Sequence, residues 1–291
     1  MVRRVLSLTS GRIAVIILGV IVLLAVFGPL ISPQDSLAGS ADTLAAPSWA
    51  HWLGTDYLGR DVFSRLLDGS GVSVAGSVQV ALIALVAGGI PGILSVYLGR
   101  VFEWAALRLV DTLIALPFLL FAVAVVALLG NGISQAMLVV GVLVAPLYFR
   151  VARAATLQVA HSQYVEAAII SGVSLAGIVR RHVWAKVLPP LAVALAQTIG
   201  TGFIIVSSLT FLGIGVQPPA PTWGGLLATD LGYLSYQWYA PIVPAALIMA
   251  TVWASNLLAD AIRDVSGVNG RALLDDRTIR RRSAAAEGSI R

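Results

Sequence analysis

Few residues of this chain could do chemistry, and their spacing excludes most kinds of it. There is no Gly-x4-Gly-Lys-[Ser/Thr] loop to cradle a nucleotide phosphate. There is neither a His-Glu-x-x-His helix for zinc nor a Gly-x-Ser-x-Gly nucleophile turn. His51, His161 and His182 are too dispersed to form one metal site, and with no cysteine there is no thiolate ligand or disulfide. Metal and catalytic residues are therefore expected to be absent. Two acidic positions inside apolar runs remain: Asp111, three residues after Arg108, and Asp260, three before Arg263. An acid at mid-membrane depth is costly, so each is either part of an ion or proton relay or one half of a structural i,i+3 pair. The spacing favours the structural pair. The most informative segment is polar: Tyr164, Glu166-Ala167-Ala168, Gly172 and His182, followed by Leu188-Pro189. Residues 164–170 suit a short helix, and Gly172 suits its C-terminal turn. A connector this long with its own helices is uncommon unless it is used. Its chemistry is docking, a handle that a soluble partner can move.

The elements that hold these residues are long apolar runs. Of the 291 residues 58% are hydrophobic and only 11% charged, against about a quarter charged in soluble domains; mean hydropathy is +0.91. Six runs approach the ~20 residues a helix needs to cross hydrocarbon: Ile13–Ile31, Val72–Leu98, Ala105–Leu129, Gln135–Phe149, Leu188–Ile214 and Ala240–Ala261. Backbone in lipid must satisfy its own hydrogen bonds, so the fold class is all-α, a polytopic membrane protein with six transmembrane helices. Arg150 and Arg153 cut the fourth run short, leaving a loop at 150–187. The first run is too long for a signal-peptide core and lacks a small-x-small site after it, so it reads as a retained anchor.

Of the 19 Lys and Arg residues only Arg60 and Arg65 fall on the side away from Arg3, Arg4 and Arg12. The positive-inside rule places both termini in the cytoplasm of a cell-membrane protein. The net charge of +5 follows from the same bias and calls for no nucleic acid. The chain divides into an anchor helix and outer loop (1–71), a membrane core with the 150–187 loop (72–265), and a polar tail (266–291) containing Arg280-Arg281-Arg282. In the outer loop, Asp61 and Arg65 have i,i+4 spacing for an ion pair at the start of an amphipathic helical piece. Asp56, Arg60 and Asp61 either face an outside partner or form a fixed turn. Trp223, after a proline-rich stretch, is expected at the membrane interface or the entrance of the bundle. Ala81, Ala84, Gly88, Gly92, Ser95 and Gly99 form a stripe of small residues suited to close helix packing.

Glu166-Ala167-Ala168-x3-Gly172 between the fourth and fifth spans resembles the cytoplasmic signature of permease subunits in binding-protein-dependent ABC importers. His51-Trp52-Leu53-Gly54-Thr55-Asp56-Tyr57-Leu58-Gly59-Arg60-Asp61 and Phe211-Leu212-Gly213-Ile214-Gly215 are similar to segments of the second, C-type permease of oligopeptide, dipeptide and nickel importers. Asn256 to Asp264 looks like its last span. The resemblance covers about residues 12–265 and implies a type I ABC importer permease fold. It implies that Tyr164, Glu166, Ala167, Ala168, Gly172 and His182 couple to an ATPase. It also implies that Asp56, Gly59, Arg60, Asp61 and Trp223 lie toward the receptor. Implied partners are a homologous second permease, two ATP-binding cassette subunits, an extracytoplasmic solute-binding protein and membrane lipid. No cofactor is expected on this chain; ATP and Mg belong to the partner subunits. One departure is Ala185, where family members carry Pro three residues after the His. The competing class is a secondary ion-coupled transporter or channel using Asp111 and Asp260; a signalling scaffold that docks an ATPase is a third. Peptide is the implied cargo, with nickel or another small solute as the alternative.

Overall fold

The computed structural model describes residues 2–130, 132–160 and 162–267, without the side chains of Ala167, Ile169, Leu175, Ala176 and His182. The 268–291 tail, with its three arginines, lies outside the described residues, as does His161. Among the described residues every regular element is helical, with one isolated bridge between Thr55 and Asp61.

The long helices are α1 (Thr9–Ile31), α2 (Val62–Ala84), α3 (Arg100–Ala115), α4 (Phe118–Leu129), α5 (Ile133–Ala160), α6 (Gln163–Ile170), α7 (Trp184–Phe211), α8 (Trp223–Leu231) and α9 (Ile242–Ser266). Five are long and apolar enough to cross a membrane, counting Val62–Leu94 as one; the α3–α4 pair makes a sixth if taken as a single bent span. The expected straight span Ala105–Leu129 is thus corrected: it bends by 98° between α3 and α4. The cause is local. Pro117 has no N–H to give and pushes Leu116 into an extended conformation (φ −74°, ψ 137°), which ends α3.

The second span begins earlier than its apolar run. Residues 62–68 are not a separate amphipathic piece but the first turns of α2, capped by the Asp61 carboxylate, which accepts from the Ser64 N–H at 2.8 Å. Further on, a π-helical turn at Leu85–Gly89 leads into Ile90–Leu94, which carries Pro91 at its start. A widened turn there accommodates the hydrogen bond that Pro91 cannot donate. The fourth span is also longer than expected. Arg150 and Arg153 do not end it, because α5 continues to Ala160 and both arginines find acids on α3.

The bundle is held by α7 against α9 and α2, and by α2 against α5, with α1 on the flank against α2 and α9. Ala81, Ala84, Gly88, Gly92 and Ser95 of the small-residue stripe are buried in this packing, whereas Gly99 is exposed beyond the end of the helix. A Cβ on Gly88 would sit 2.0 Å from the Ala145 carbonyl oxygen of α5, so only glycine permits that approach. The core falls into three clusters, one of which includes Val159, Val165, Ile178 and Val187 and so ties the α5–α7 connection to the bundle.

Candidate functional site at the two ends of the bundle

At one end, the connection between α5 and α7 carries α6. The Ser162 carbonyl accepts from the Val165 and Glu166 N–H groups at 2.9 and 3.1 Å and starts the helix. Val165 is fully buried among Ile178, Val183 and Tyr148, whereas Tyr164 and Glu166 are exposed. Ala168 packs at the edge of the same cluster. Past the helix, Gly172 takes φ +76° and the Val173 N–H donates to the Ala168 carbonyl at 3.0 Å. This six-to-one bond with a left-handed residue is a Schellman closure. The sequence therefore buries one side of α6 and displays the other. The side chains of Ala167 and His182 lie outside the described residues. Beyond α6, a π-helical turn at Val179–Val183 feeds α7. Exposed Ala185 lines a cavity of about 610 Å³ together with Lys186, Gln158, Gln197 and Arg263.

The intramembrane acids are ion-paired. Asp260 accepts from Arg263 at 2.8 Å, at the expected i,i+3 spacing. Asp111 does not pair with Arg108; its partner is Arg150 of α5, at 3.3 Å. Arg153 is likewise paired with Glu103. The packing of α3 against α5 brings these groups together, and no local spacing could show that.

At the opposite end, residues 51–65 form a charged turn. The Asp56 carboxylate accepts the Leu58 and Arg60 N–H groups through Oδ1 at 2.8 and 3.0 Å. Its Oδ2 takes Arg60 Nε at 2.7 Å and lies 3.5 Å from Arg65 Nε. Asp61 instead pairs with His51 Nδ1 at 2.9 Å, so the expected Asp61–Arg65 pair is replaced by Asp56–Arg65. The reason is that Asp61 Oδ2 is occupied by the helix cap of α2. Asp56, Gly59, Arg60, Asp61 and Trp223, which the resemblance places toward a receptor, are all buried, and the internal pairs of Asp56, Arg60 and Asp61 agree with the fixed-turn alternative. Trp223 is fully enclosed: its Nε1–H donates to the Leu66 carbonyl at 2.9 Å and its ring packs on Phe203. The interface or entrance position expected for Trp223 is therefore corrected to the core. The exposed apolar residues of this end are others, among them Trp49, Trp52 and Leu58.

A further acid, Asp230, is buried here. It lies on α8, 6% exposed, and its Oδ2 has no hydrogen-bond partner among the described residues. An acid in the run Leu226–Leu231 was the same signal that drew attention to Asp111. Burial, with Asp56 close by, pushes its carboxyl up to about 7, while Arg65 pulls it down. The folded chain thus holds a proton that the unfolded chain releases near the ordinary carboxylate value. This group weakens folding progressively as pH rises from about 4 to about 7. Asp230→Asn is expected to raise the thermal unfolding midpoint at pH 8 and leave it nearly unchanged at pH 4. Unfolding scans at the two pH values check this, and a gain at pH 4 that matches or exceeds the gain at pH 8 contradicts it.

A bundle of membrane-length helices with a bent α3–α4 pair and a helical connection after α5 defines an importer-permease fold. The inward-facing MetNI methionine ABC transporter shares it, with a TM-score of 0.52 over 67% of this chain and 94% of that chain, at 19% identity. The chain belongs to the family of binding-protein-dependent transport system inner membrane components, whose pattern matches residues 71–267. It is a multi-pass membrane transport subunit. Among curated relatives, the probable D,D-dipeptide transport system permease protein DdpC of Escherichia coli K12 is 36% identical over 89% of this chain and 86% of its own length. The di/tripeptide transport system permease protein DppC of Pseudomonas aeruginosa is 34% identical over 84% and 83%. The glutathione transport system permease protein GsiD of Pectobacterium atrosepticum is 36% identical over 75% and 72%.

Proposed function

We infer that this chain is one of two permease subunits that together line the path of an ATP-driven importer of small peptides. The relatives named for dipeptides, di/tripeptides and glutathione support the cargo class. The observation that carries the mechanism is α6: a short helix anchored from beneath by Val165, displaying Tyr164 and Glu166, and closed by Gly172. Such an element moves as a unit with the bundle core, so a protein that grips it can shift the spans. In this reading two ATP-binding cassette subunits, which use ATP and Mg, sit on the side of α6 with both termini. A solute-binding protein delivers cargo at the 32–61 end, and a homologous permease completes the path. Energy enters only through state-dependent affinity of the ATPase for α6.

The test is ATP hydrolysis by the reconstituted complex, with and without this chain, as binding protein and peptide are added. Stimulation that requires this chain is the expected result; hydrolysis indifferent to it overturns the reading. A second measurement separates ATP coupling from ion coupling. Asp111 is ion-paired with Arg150 and both side chains are more than half exposed. An acid held by an arginine of the neighbouring helix is a structural pair and not a free carrier, so Asp111→Asn is expected to change peptide uptake less than two-fold. Loss of uptake in that variant would favour an ion relay.

A further inference from the structure

A cavity of about 200 Å³ lies between the charged turn, the outgoing end of α7 and α8. Its walls include Arg60, Arg65, Tyr57, Thr222, Ala228 and Thr229. Both guanidinium groups are buried, yet their hydrogen-bonding capacity is not used up. Arg60 spends Nε on Asp56 and stacks over Tyr57 with its Cζ 5.6 Å from the ring centre. Its two Nη atoms make no hydrogen bond among the described residues. Arg65 gives Nη1 to the Ser36 and Pro219 carbonyls at 3.0 and 3.4 Å, and its buried Nε is ion-paired with Asp56 Oδ2 at 3.5 Å without forming a hydrogen bond.

The charge is also unbalanced. Two arginines share one carboxylate, Asp56, and burial beside Asp56 raises the carboxyl pKa of the neighbouring Asp230. Forked, weakly hydrated guanidinium donors around a polar space are the arrangement that recognises a planar two-oxygen anion. A volume of this size equals about six or seven water molecules, room for a carboxylate and one small residue. We propose that the cavity is a carboxylate-binding site, with Arg60 and Arg65 as the donors. The carboxylate comes from the C-terminus of a short peptide or from an acidic side chain of the delivering protein, an assignment of sources that rests on the importer reading.

The first measurements use the full chain alone in zwitterionic nanodiscs, so their outcome is independent of the importer reading. N-acetylalanine and N-acetylalaninamide are compared by saturation-transfer NMR. The acid is expected to bind at least ten-fold more tightly than the amide, and Arg60→Gln to abolish the difference. Because Arg60→Gln could loosen the turn, a second pair of variants keeps both arginines. Ala228→Glu places a tethered carboxylate in the cavity and is expected to melt several degrees above Ala228→Gln, which fills the same space without charge. Equal binding of acid and amide, or an Ala228→Glu chain no more heat-stable than Ala228→Gln, overturns the site. The source is then read in the assembled transporter. An Arg60→Gln loss of preference for free-acid over amidated peptides assigns the site to cargo. Weakened retention of the binding protein, with cargo preference unchanged, assigns it to the delivering protein.

Discussion

Asp56→Asn is expected to destabilise the folded chain by about 3–5 kcal/mol, the range for removing one partner of a buried ion pair. Asp56 is 4% exposed and is the shared counter-ion of two arginines that are each 6% exposed. Asparagine keeps the shape and one acceptor oxygen for the turn's N–H groups, but turns an amide toward two guanidiniums. The cost is therefore electrostatic rather than steric. Asp230 is the nearest alternative counter-ion for Arg65, so the loss is expected to be partly offset at high pH, where Asp230 ionises. The Asp56→Asn/Asp230→Asn double variant should then fall further than Asp56→Asn alone at pH 8, although Asp230→Asn by itself is stabilising there. Denaturation in detergent reads both effects. A midpoint within a degree or two of the native chain would show that solvent, not Asp56, neutralises these arginines.

Gly172→Val is expected to cut the chain's stimulation of its ATPase partners at least ten-fold while leaving membrane insertion intact. At φ +76° a left-handed conformation costs an L-residue roughly 1–2 kcal/mol, and a β-branched one more. Among the described residues no atom lies within 4 Å of the added Cβ, so the penalty there is backbone strain and not collision. The strain falls on the Schellman bond from Val173 to Ala168, and hence on the presentation of Glu166 and Tyr164. Gly172→Asn supplies the control, since asparagine tolerates the left-handed region and should retain most coupling. Unaltered co-purification of the ATPase with the valine variant would refute the role given to α6.

Much of this was legible in the sequence. Continuous apolar runs located the spans, because lipid leaves the backbone no alternative to a helix. The positions of Glu166 and Gly172 marked a short helix and its end, since helix starts and closures are made by residues within about six positions of one another. Asp260–Arg263 was legible for the same reason. Where an expectation failed, a competing partner decided the matter. The Asp61 carboxylate was free to pair with Arg65 until the cap of α2 and His51 took it. Asp111 lay one turn from Arg108, but the packing of α3 against α5 brought Arg150 within reach.

Composition and local order thus determined that this chain is a multi-pass helical membrane protein with a short helix between two of its spans. Both follow from backbone hydrogen bonding and from short-range capping. The tertiary structure alone decided that Trp223 is core, that two arginines share Asp56, and that Asp230 is buried beside them. The burial of Trp223 and Asp230 depends on docking α8 onto α2, 150 or more positions earlier, and the sharing of Asp56 depends on how the turn and the first turns of α2 fold together.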